Sequence, residues 1–197
     1  MSDEMTVLHP QLSDTDTSQL RAGDRVRIRG AVYVARDAAH KRLVAALAAG
    51  EDLPFDPIGQ IIYYMGPSPA RPGKPIGAAG PTTSYRMDPY TVPMLEAGIK
   101  ALIGKGGRGP EVKNALVAHK AVYLIAVGGA GALLAQTVQQ AEVLAYPELG
   151  AEAVRRLLVV DFPAIVGIDT TGNDIYDIGR STYRRTDLGT ETEKTFT

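Results

Sequence analysis

The sequence contains no cysteine in its 197 residues, and this absence excludes several kinds of chemistry. Without thiols the chain cannot form disulfides, bind zinc through thiolates or use a cysteine nucleophile. It also cannot ligate an iron–sulfur cluster through its own cysteines. Every function that depends on a thiol of this chain is therefore excluded.

The sequence also lacks a dominant charge and a long apolar run. Its 21 Lys and Arg residues against 22 Asp and Glu give a net charge of -1, so no overall basic field attracts nucleic acid. No apolar stretch approaches the roughly 20 residues that span a bilayer. Residues 1–16 are polar and acidic, unlike a signal peptide. We therefore expect a cytoplasmic protein that binds neither nucleic acid nor a membrane.

Strand patterns alternate with helical patterns along the chain, which predicts one α/β domain with a mixed, mainly parallel sheet. Gly30 interrupts an alternating strand, and residues 170–173 (TTGN) are typical of a tight turn, so hairpins are predicted near residues 30 and 172. The second hairpin would lead into a strand at Ile175 and Tyr176. We predict an N-terminal arm at 1–20, a folded domain at 21–180 and a polar tail at 181–197.

A hydroxyl-rich turn at residues 80–88 (GPTTSYRMD) stands between an apolar glycine-rich segment and a helical pattern. Backbone N–H groups are unpaired where a helix begins, so such a turn can hold an anion. Thr82, Thr83, Ser84 and Arg86 all occupy it. The alternative is that the hydroxyl groups serve only as helix N-caps. This stretch alone favours neither interpretation.

Other cations occupy strand ends. Arg36 stands at the end of a predicted strand, just before a helix for which Asp37 is a plausible N-cap. That position is common for ligand-binding residues in α/β folds, although a lone arginine there is more often a surface charge. Lys105 and Arg108 lie in a glycine-rich loop that follows another strand. We expect this loop to be flexible and to suit a carboxylate or phosphate.

The same loop matches a dinucleotide fingerprint, G-x-G-x-x-G, at Gly104, Gly106 and Gly109. Two cations inside the turn, and the lack of an acidic residue at the end of the next strand, count against NAD. The spacing does not fit a P-loop. The histidines His9, His40 and His119 show no metal-ligand spacing, so structural or capping roles are favoured and no metal site is predicted.

Six segments together resemble one family, the iron–sulfur (class I) fumarate hydratases with the related L-tartrate dehydratases. They are residues 35–40 (ARDAAH), 80–90 (GPTTSYRMDPY), 104–107 (GKGG), 146–150 (YPELG), 161–164 (DFPA) and 169–173 (DTTGN). The likeness is to the C-terminal domain, which is a separate β subunit in two-subunit members. It implies a swivelling β/β/α domain that packs on an α subunit carrying a 4Fe–4S cluster, in an α2β2 assembly. The cluster ligands would then all belong to the partner.

The resemblance also implies roles for individual residues. Thr82 matches the catalytic threonine, which takes the C3 proton of L-malate or returns it to fumarate. Arg86 matches an arginine that holds a substrate carboxylate, and Arg36 and Lys105 match two further cationic contacts. Asp37 and His40 are expected to support Arg36, and Thr83 and Ser84 are secondary candidates for catalysis. A dicarboxylate requires several cations, and the planar fork of arginine suits a carboxylate.

The sequence is also compatible with several alternatives. An L-tartrate dehydratase β subunit would use a similar elimination to convert L-tartrate to oxaloacetate. A stand-alone dinucleotide-binding protein and a non-catalytic regulatory subunit are the alternatives from other functional classes. The first predicts NAD binding, and the second predicts that the α subunit is fully active alone.

Overall fold

Seven β-strands form one mixed sheet in the computed structural model, which describes residues 5–185. The strands are β1 (Thr6–Leu8), β2 (Arg25–Val34), β3 (Ile61–Tyr63), β4 (Ala101–Gly104), β5 (Val122–Ile125), β6 (Val138–Ala145) and β7 (Val154–Ile168). The α-helices are α1 (Asp14–Ser18), α2 (Asp37–Ala48), α3 (Asp88–Glu96), α4 (Pro110–Ala118), α5 (Gly131–Ala135) and α6 (Ile175–Tyr183), and two 3₁₀ helices span Ser84–Met87 and Pro147–Glu152. Within this part of the chain, no helix has the length and apolar character needed to cross a bilayer.

Five of the strands close into a barrel-like ring. The strands β2, β3, β4 and β5 are parallel neighbours, and β7 closes the ring by pairing antiparallel with both β5 and β2. β1 adds in parallel to β2, and β6 adds antiparallel to β7. The predicted single α/β domain with a mixed sheet is confirmed. A mainly parallel sheet is not confirmed, because the long β2–β7 ladder is antiparallel, and the swivelling motion stays a prediction.

Successive residues of the short parallel strands face two different cores. Ile61 and Tyr63 of β3 pack in one cluster with Ile103 of β4, whereas Ile62 and Leu102 pack in the other, against α2, α3 and α4. Because both faces are buried, these strands have continuous apolar sequences without polar alternation. The strand ends are therefore where polar side chains can collect.

The predicted hairpin near residue 30 is wrong. β2 continues through Gly30, and its pairing with β7 shifts between Ile28 and Gly30, so the glycine marks a bulge. Gly30 has a φ of 129° and Asp161, on the facing strand, has a φ of 56°. Arg29 Nε donates to Asp161 Oδ1 at 2.7 Å across this irregularity. The glycine bends the strand without reversing it.

The predicted strand at residues 175–176 is also wrong. The turn before it exists, and Asp169 holds it by accepting hydrogen bonds from the backbone N–H groups of Thr171 and Asn173. The chain then enters α6, because the side chain of Asp174 caps the helix by accepting from the N–H of Tyr176 at 2.8 Å. The capping side chain of Asp174 therefore stabilises the start of a helix where the local pattern predicted a hairpin.

The two terminal segments differ in how much of them the structure describes. Residues 5–20 of the predicted arm contribute β1 and α1, and Leu8, Leu12 and Leu20 are buried. At the other end, α6 extends to Tyr183, so the first residues of the predicted tail are helical. The remainder of that prediction, residues 186–197, lies outside the described residues, as do residues 1–4.

Candidate functional site

The ends of three parallel strands bring the candidate residues to one edge of the sheet. Arg36 follows β2, the 80–88 turn packs beside the end of β3, and Lys105 follows β4. Because β2, β3 and β4 are parallel neighbours, their carboxyl ends point the same way. This edge is where α/β folds place their ligands.

Backbone hydrogen bonds fix the turn that carries Thr82. The N–H of Thr82 donates to the carbonyl oxygen of Tyr64 at 2.7 Å, and its own carbonyl oxygen accepts from the N–H of Lys105 at 3.3 Å. The side chain is half-buried. These contacts use only the main chain of Thr82, so they hold the turn without occupying the hydroxyl group.

The other two hydroxyl groups of the turn have different surroundings. Thr83 occupies the N-cap of the 3₁₀ helix, but its side chain makes no capping hydrogen bond, so the N-cap alternative is wrong for this turn. Ser84 is completely buried, and its Oγ lies 2.9 Å from the hydroxyl of Tyr123. The phenolic oxygen is also 2.8 Å from the carbonyl oxygen of Gly106. Because a phenol has one proton, Tyr123 donates to Gly106 and accepts from Ser84. The hydroxyl group of Ser84 therefore serves to hold the turn against Tyr123.

The glycine loop packs directly against this turn. The N–H of Ser84 donates to the carbonyl oxygen of Lys105 at 2.9 Å. A Cβ atom at Gly104 would lie 1.9 Å from Ser84 Oγ and 3.0 Å from a ring carbon of Tyr64, so only glycine fits there. The Lys105 side chain runs past Gly128, where a Cβ atom would lie 3.6 Å from Lys105 Cδ. Close packing against Ser84 and Tyr64 is sufficient to explain the first glycine of the fingerprint.

Three charged side chains meet at the start of α2. Arg86 Nη2 lies 3.0 Å from Asp37 Oδ2, and Arg36 Nε lies 3.9 Å from the same oxygen. The Arg36 side chain is 22% exposed and that of Arg86 is 43% exposed. Asp37 thus joins the arginine after β2 to the arginine of the 80–88 turn. Both guanidinium groups retain further donors for an incoming carboxylate.

His40 supports Arg36 through the backbone. Its ring is buried, with Nδ1 3.0 Å from the carbonyl oxygen of Arg36, so Nδ1 carries the proton and donates it. Within residues 5–185, the buried Nε2 has no hydrogen-bond partner. Burial lowers the pKa of His40 from 6.5 to about 4, against the raising effect of the hydrogen bond to Arg36. The ring is therefore neutral at pH 7.

This buried histidine predicts a loss of stability in acid. In the unfolded chain His40 binds a proton near pH 6.5, whereas the folded protein resists protonation until about pH 4. The unfolded state therefore binds more protons between these values, and the free energy of unfolding falls as the pH drops through this window. We expect a loss of about 3 kcal/mol from this residue, on the scale of 1.36 kcal/mol per pKa unit.

Urea unfolding between pH 7.5 and 4.5 tests this expectation. His40→Gln should reduce the pH dependence of the unfolding free energy, whereas His9→Gln, a change at an exposed histidine, should keep the wild-type dependence. Carboxylate titration contributes equally to all three proteins, so the difference between them isolates His40. Identical slopes for wild type and His40→Gln would contradict the prediction.

A buried network beneath the turn was not anticipated from the sequence. The Arg108 side chain has no solvent exposure, and its Nε donates to Asp88 Oδ1 at 2.7 Å. Arg108 Nη2 donates to the hydroxyl of Thr91 at 2.6 Å. Asp88 Oδ2 also accepts from the N–H of Gly109, at the start of α4, at 2.8 Å. The expectation that Arg108 is a loop cation available to a ligand is therefore wrong, because its guanidinium group is buried against Asp88 and Thr91.

All the site residues predicted from the sequence lie near one another at this edge of the sheet. The set consists of Arg36, Asp37, His40, Thr82, Thr83, Ser84, Arg86 and Lys105. Sequence reasoning missed Asp88, Tyr123 and Glu152, and it placed Arg108 in the loop without its buried partners. Tyr123 carried a signal, since a tyrosine inside an apolar strand requires a partner for its hydroxyl. Within residues 5–185, no group of three or more His, Asp or Glu side chains could hold a metal ion.

Comparisons with known proteins identify a family and several similar sequences. A family model described as "Fumarase C-terminus" matches residues 2–179. The anaerobic class I fumarate hydratase of Escherichia coli (strain K12) is 40% identical over 162 residues, which are 81% of this chain and 29% of that protein. Fumarate hydratase 2 of Leishmania major is 41% identical over 162 residues, again 81% of this chain and 28% of that protein. The chain thus spans less than a third of the length of these two relatives.

One relative is matched over nearly its whole length. It comes from Methanocaldococcus jannaschii and carries the provisional name L(+)-tartrate dehydratase subunit beta. Its identity to this chain is 37% over 182 residues, which are 89% of this chain and 93% of that protein.

Proposed function

Because this chain belongs to the fumarase C-terminus family, we propose that it is the β subunit of a two-subunit hydro-lyase that reversibly hydrates fumarate to L-malate. One observation carries the proposal. Arg36, Arg86 and Lys105 lie with the Thr82 turn at a single edge of the sheet, which is the arrangement that a small dicarboxylate requires. The M. jannaschii relative supports the β-subunit part, since it is named as a β subunit and this chain covers 93% of it.

In this proposal the cations hold the substrate and Thr82 moves the proton. Arg86 and Arg36 offer planar forks to the carboxylates, and Lys105 adds a point charge. The hydroxyl of Thr82 in its ionised form takes the C3 proton of L-malate, and it returns that proton to C3 when fumarate is hydrated. An alcohol is a weak base in water, so the neighbouring cations must stabilise the alkoxide.

The remaining chemistry belongs to a partner. The chain has no cysteine, and its described residues contain no metal-binding group, so they do not fit a 4Fe–4S cluster. We propose that an α subunit carries the cluster and completes the site, in a cytoplasmic α2β2 enzyme. The chemistry that such a cluster supplies is Lewis acidity toward the departing hydroxyl group.

L-Tartrate dehydratase is the second candidate, and the M. jannaschii relative is the observation that favours it. It requires the same cations and the same proton transfer, on a substrate with one more hydroxyl group. A dinucleotide-binding protein is disfavoured, because the N–H of Gly109 is already bonded to Asp88.

Anaerobic co-expression of this chain with an α subunit of the family tests the proposal. We expect hydration of fumarate only when both chains are present. The reaction is measured as the loss of the ultraviolet absorbance of fumarate. Turnover of L-tartrate but not of fumarate would show that the enzyme is an L-tartrate dehydratase, the second candidate. Full activity of the α subunit by itself would identify this chain as regulatory, and no activity with either substrate would contradict the hydro-lyase proposal.

A further inference from the structure

Glu152 holds the guanidinium group of Arg36, and we propose that it is a positioning residue for the substrate carboxylate. The inference rests on the proposed function, in which Arg36 binds that carboxylate. Glu152 does not need to touch the substrate. It acts by restricting where Arg36 can place its hydrogen-bond donors.

The fold itself brings these two residues together. β2 and β7 are antiparallel, and Val34, the last residue of β2, pairs with Arg155 near the start of β7. Two residues beyond Val34 is Arg36, and three residues before Arg155 is Glu152. The register of the longest ladder thus places the two side chains at the same edge, although 116 positions separate them in the sequence.

Both carboxylate oxygens of Glu152 are used. Oε1 lies 3.5 Å from Arg36 Nη2, and Oε2 accepts a hydrogen bond from the N–H of Ala38 at 3.0 Å. Ala38 is in the first turn of α2, where unpaired N–H groups and the helix dipole favour a negative charge. The carboxylate is therefore held by the helix on one side while it holds the arginine on the other.

The backbone on both sides of the pair restricts it further. Glu152 ends the 3₁₀ helix Pro147–Glu152, and the completely buried Ala153 and Val154 follow it, so its main chain has little freedom. Across from it, a Cβ atom at Gly66 would lie 2.7 Å from Arg36 Nη1 and 3.0 Å from the carbonyl oxygen of Ala151. The guanidinium group thus occupies a slot that only glycine leaves open.

A comparison with Glu148, which lies on the other side of a kink at Gly150 in the same segment, distinguishes positioning from surface pairing. Glu148 forms an ion pair with Arg42, but both side chains are well exposed, at 58% and 44%. Glu152 and Arg36 are 29% and 22% exposed, and only they lie at the edge with the Thr82 turn. An exposed ion pair contributes little to stability, whereas the orientation of a binding arginine affects how the substrate is held.

Steady-state kinetics of the co-expressed enzyme tests the inference. Glu152→Gln keeps the size of the side chain and an acceptor for the Ala38 N–H, and it removes the charge that orients Arg36. We expect the KM for fumarate to rise about tenfold with little change in kcat, since small misplacement of a binding group costs up to about 100-fold. Glu148→Gln should keep the wild-type KM. Gly66→Ala, which fills the slot, should raise the KM in the same way.

A double-variant cycle shows whether Glu152 acts through Arg36. In an Arg36→Gln background, both Glu152→Gln and Gly66→Ala should have no further effect on kcat/KM. Equal effects with and without Arg36 would overturn the inference, as would a wild-type KM for Glu152→Gln when Arg36→Gln is impaired. If Arg36→Gln itself leaves the KM unchanged, the proposed function of Arg36 fails first, and that result is distinguishable from the others.

Discussion

Replacing Thr82 with valine is expected to reduce the rate of fumarate hydration by the assembled enzyme severely while leaving the assembly intact. Valine has nearly the shape of threonine, so the change removes the hydroxyl group and little else. The contacts that hold residue 82 in the turn are made by its N–H and carbonyl groups, to Tyr64 and Lys105, and valine keeps both. Loss of the base should lower kcat by about 10³-fold, within the usual range for general acid–base groups.

Two further variants make this expectation specific. Thr82→Ser restores a hydroxyl group at the same backbone position and should recover part of the lost activity. Thr15→Ala, a change at an exposed threonine of α1, should leave kcat at the wild-type value. Co-purification of both subunits and an unchanged melting temperature would show that the complex persists. A Thr82→Val enzyme with normal turnover would contradict the assignment of Thr82 as the base.

Replacing Arg108 with methionine is expected to cause the largest loss of stability among the changes considered. Arg108 is fully buried, and its guanidinium group bonds Asp88 and Thr91 and lies over the rings of Tyr64 and Tyr123, 5.4 and 5.2 Å from their centres. Methionine fills much of the space but leaves the carboxylate of Asp88 without its cation. Breaking a buried ion pair in this way costs about 3–5 kcal/mol of stability. Because Asp88 still accepts a hydrogen bond from the Gly109 N–H, we expect a loss near the lower end of this range.

The free energy of unfolding, measured by urea titration, tests this expectation. Arg108→Lys should recover little of the loss, because one ammonium group cannot reproduce the fork that reaches Asp88 and Thr91 together. Arg42→Met is the matched control, since Arg42 is exposed and pairs with an exposed carboxylate, and it should change stability far less. An Arg108→Met protein as stable as this control would show that the buried network is not stabilising.

Much of the architecture was predictable because parallel strands buried on both faces have a clear apolar signal. The predicted alternation of strands and helices holds from β3 through α3, β4 and α4 to β5. The two predicted hairpins failed for local reasons. Gly30 was interpreted as a strand end and is a bulge, and Asp174 was not recognised as the N-cap of α6.

Residue type and order were sufficient to select the family and the eight candidate residues, because the hydroxyl-rich turn, the arginine after a strand and the lysine in a glycine loop are local features of the chain. What surrounds those residues was decided only by the tertiary structure. Arg108 and Lys105 share one short loop, yet the packing of α3 buries Arg108 against Asp88 and leaves Lys105 at the edge. Glu152 reaches Arg36 only because β7 returns antiparallel to β2. Burial and long-range pairing depend on the register between distant strands, and no local pattern in the sequence specifies that register.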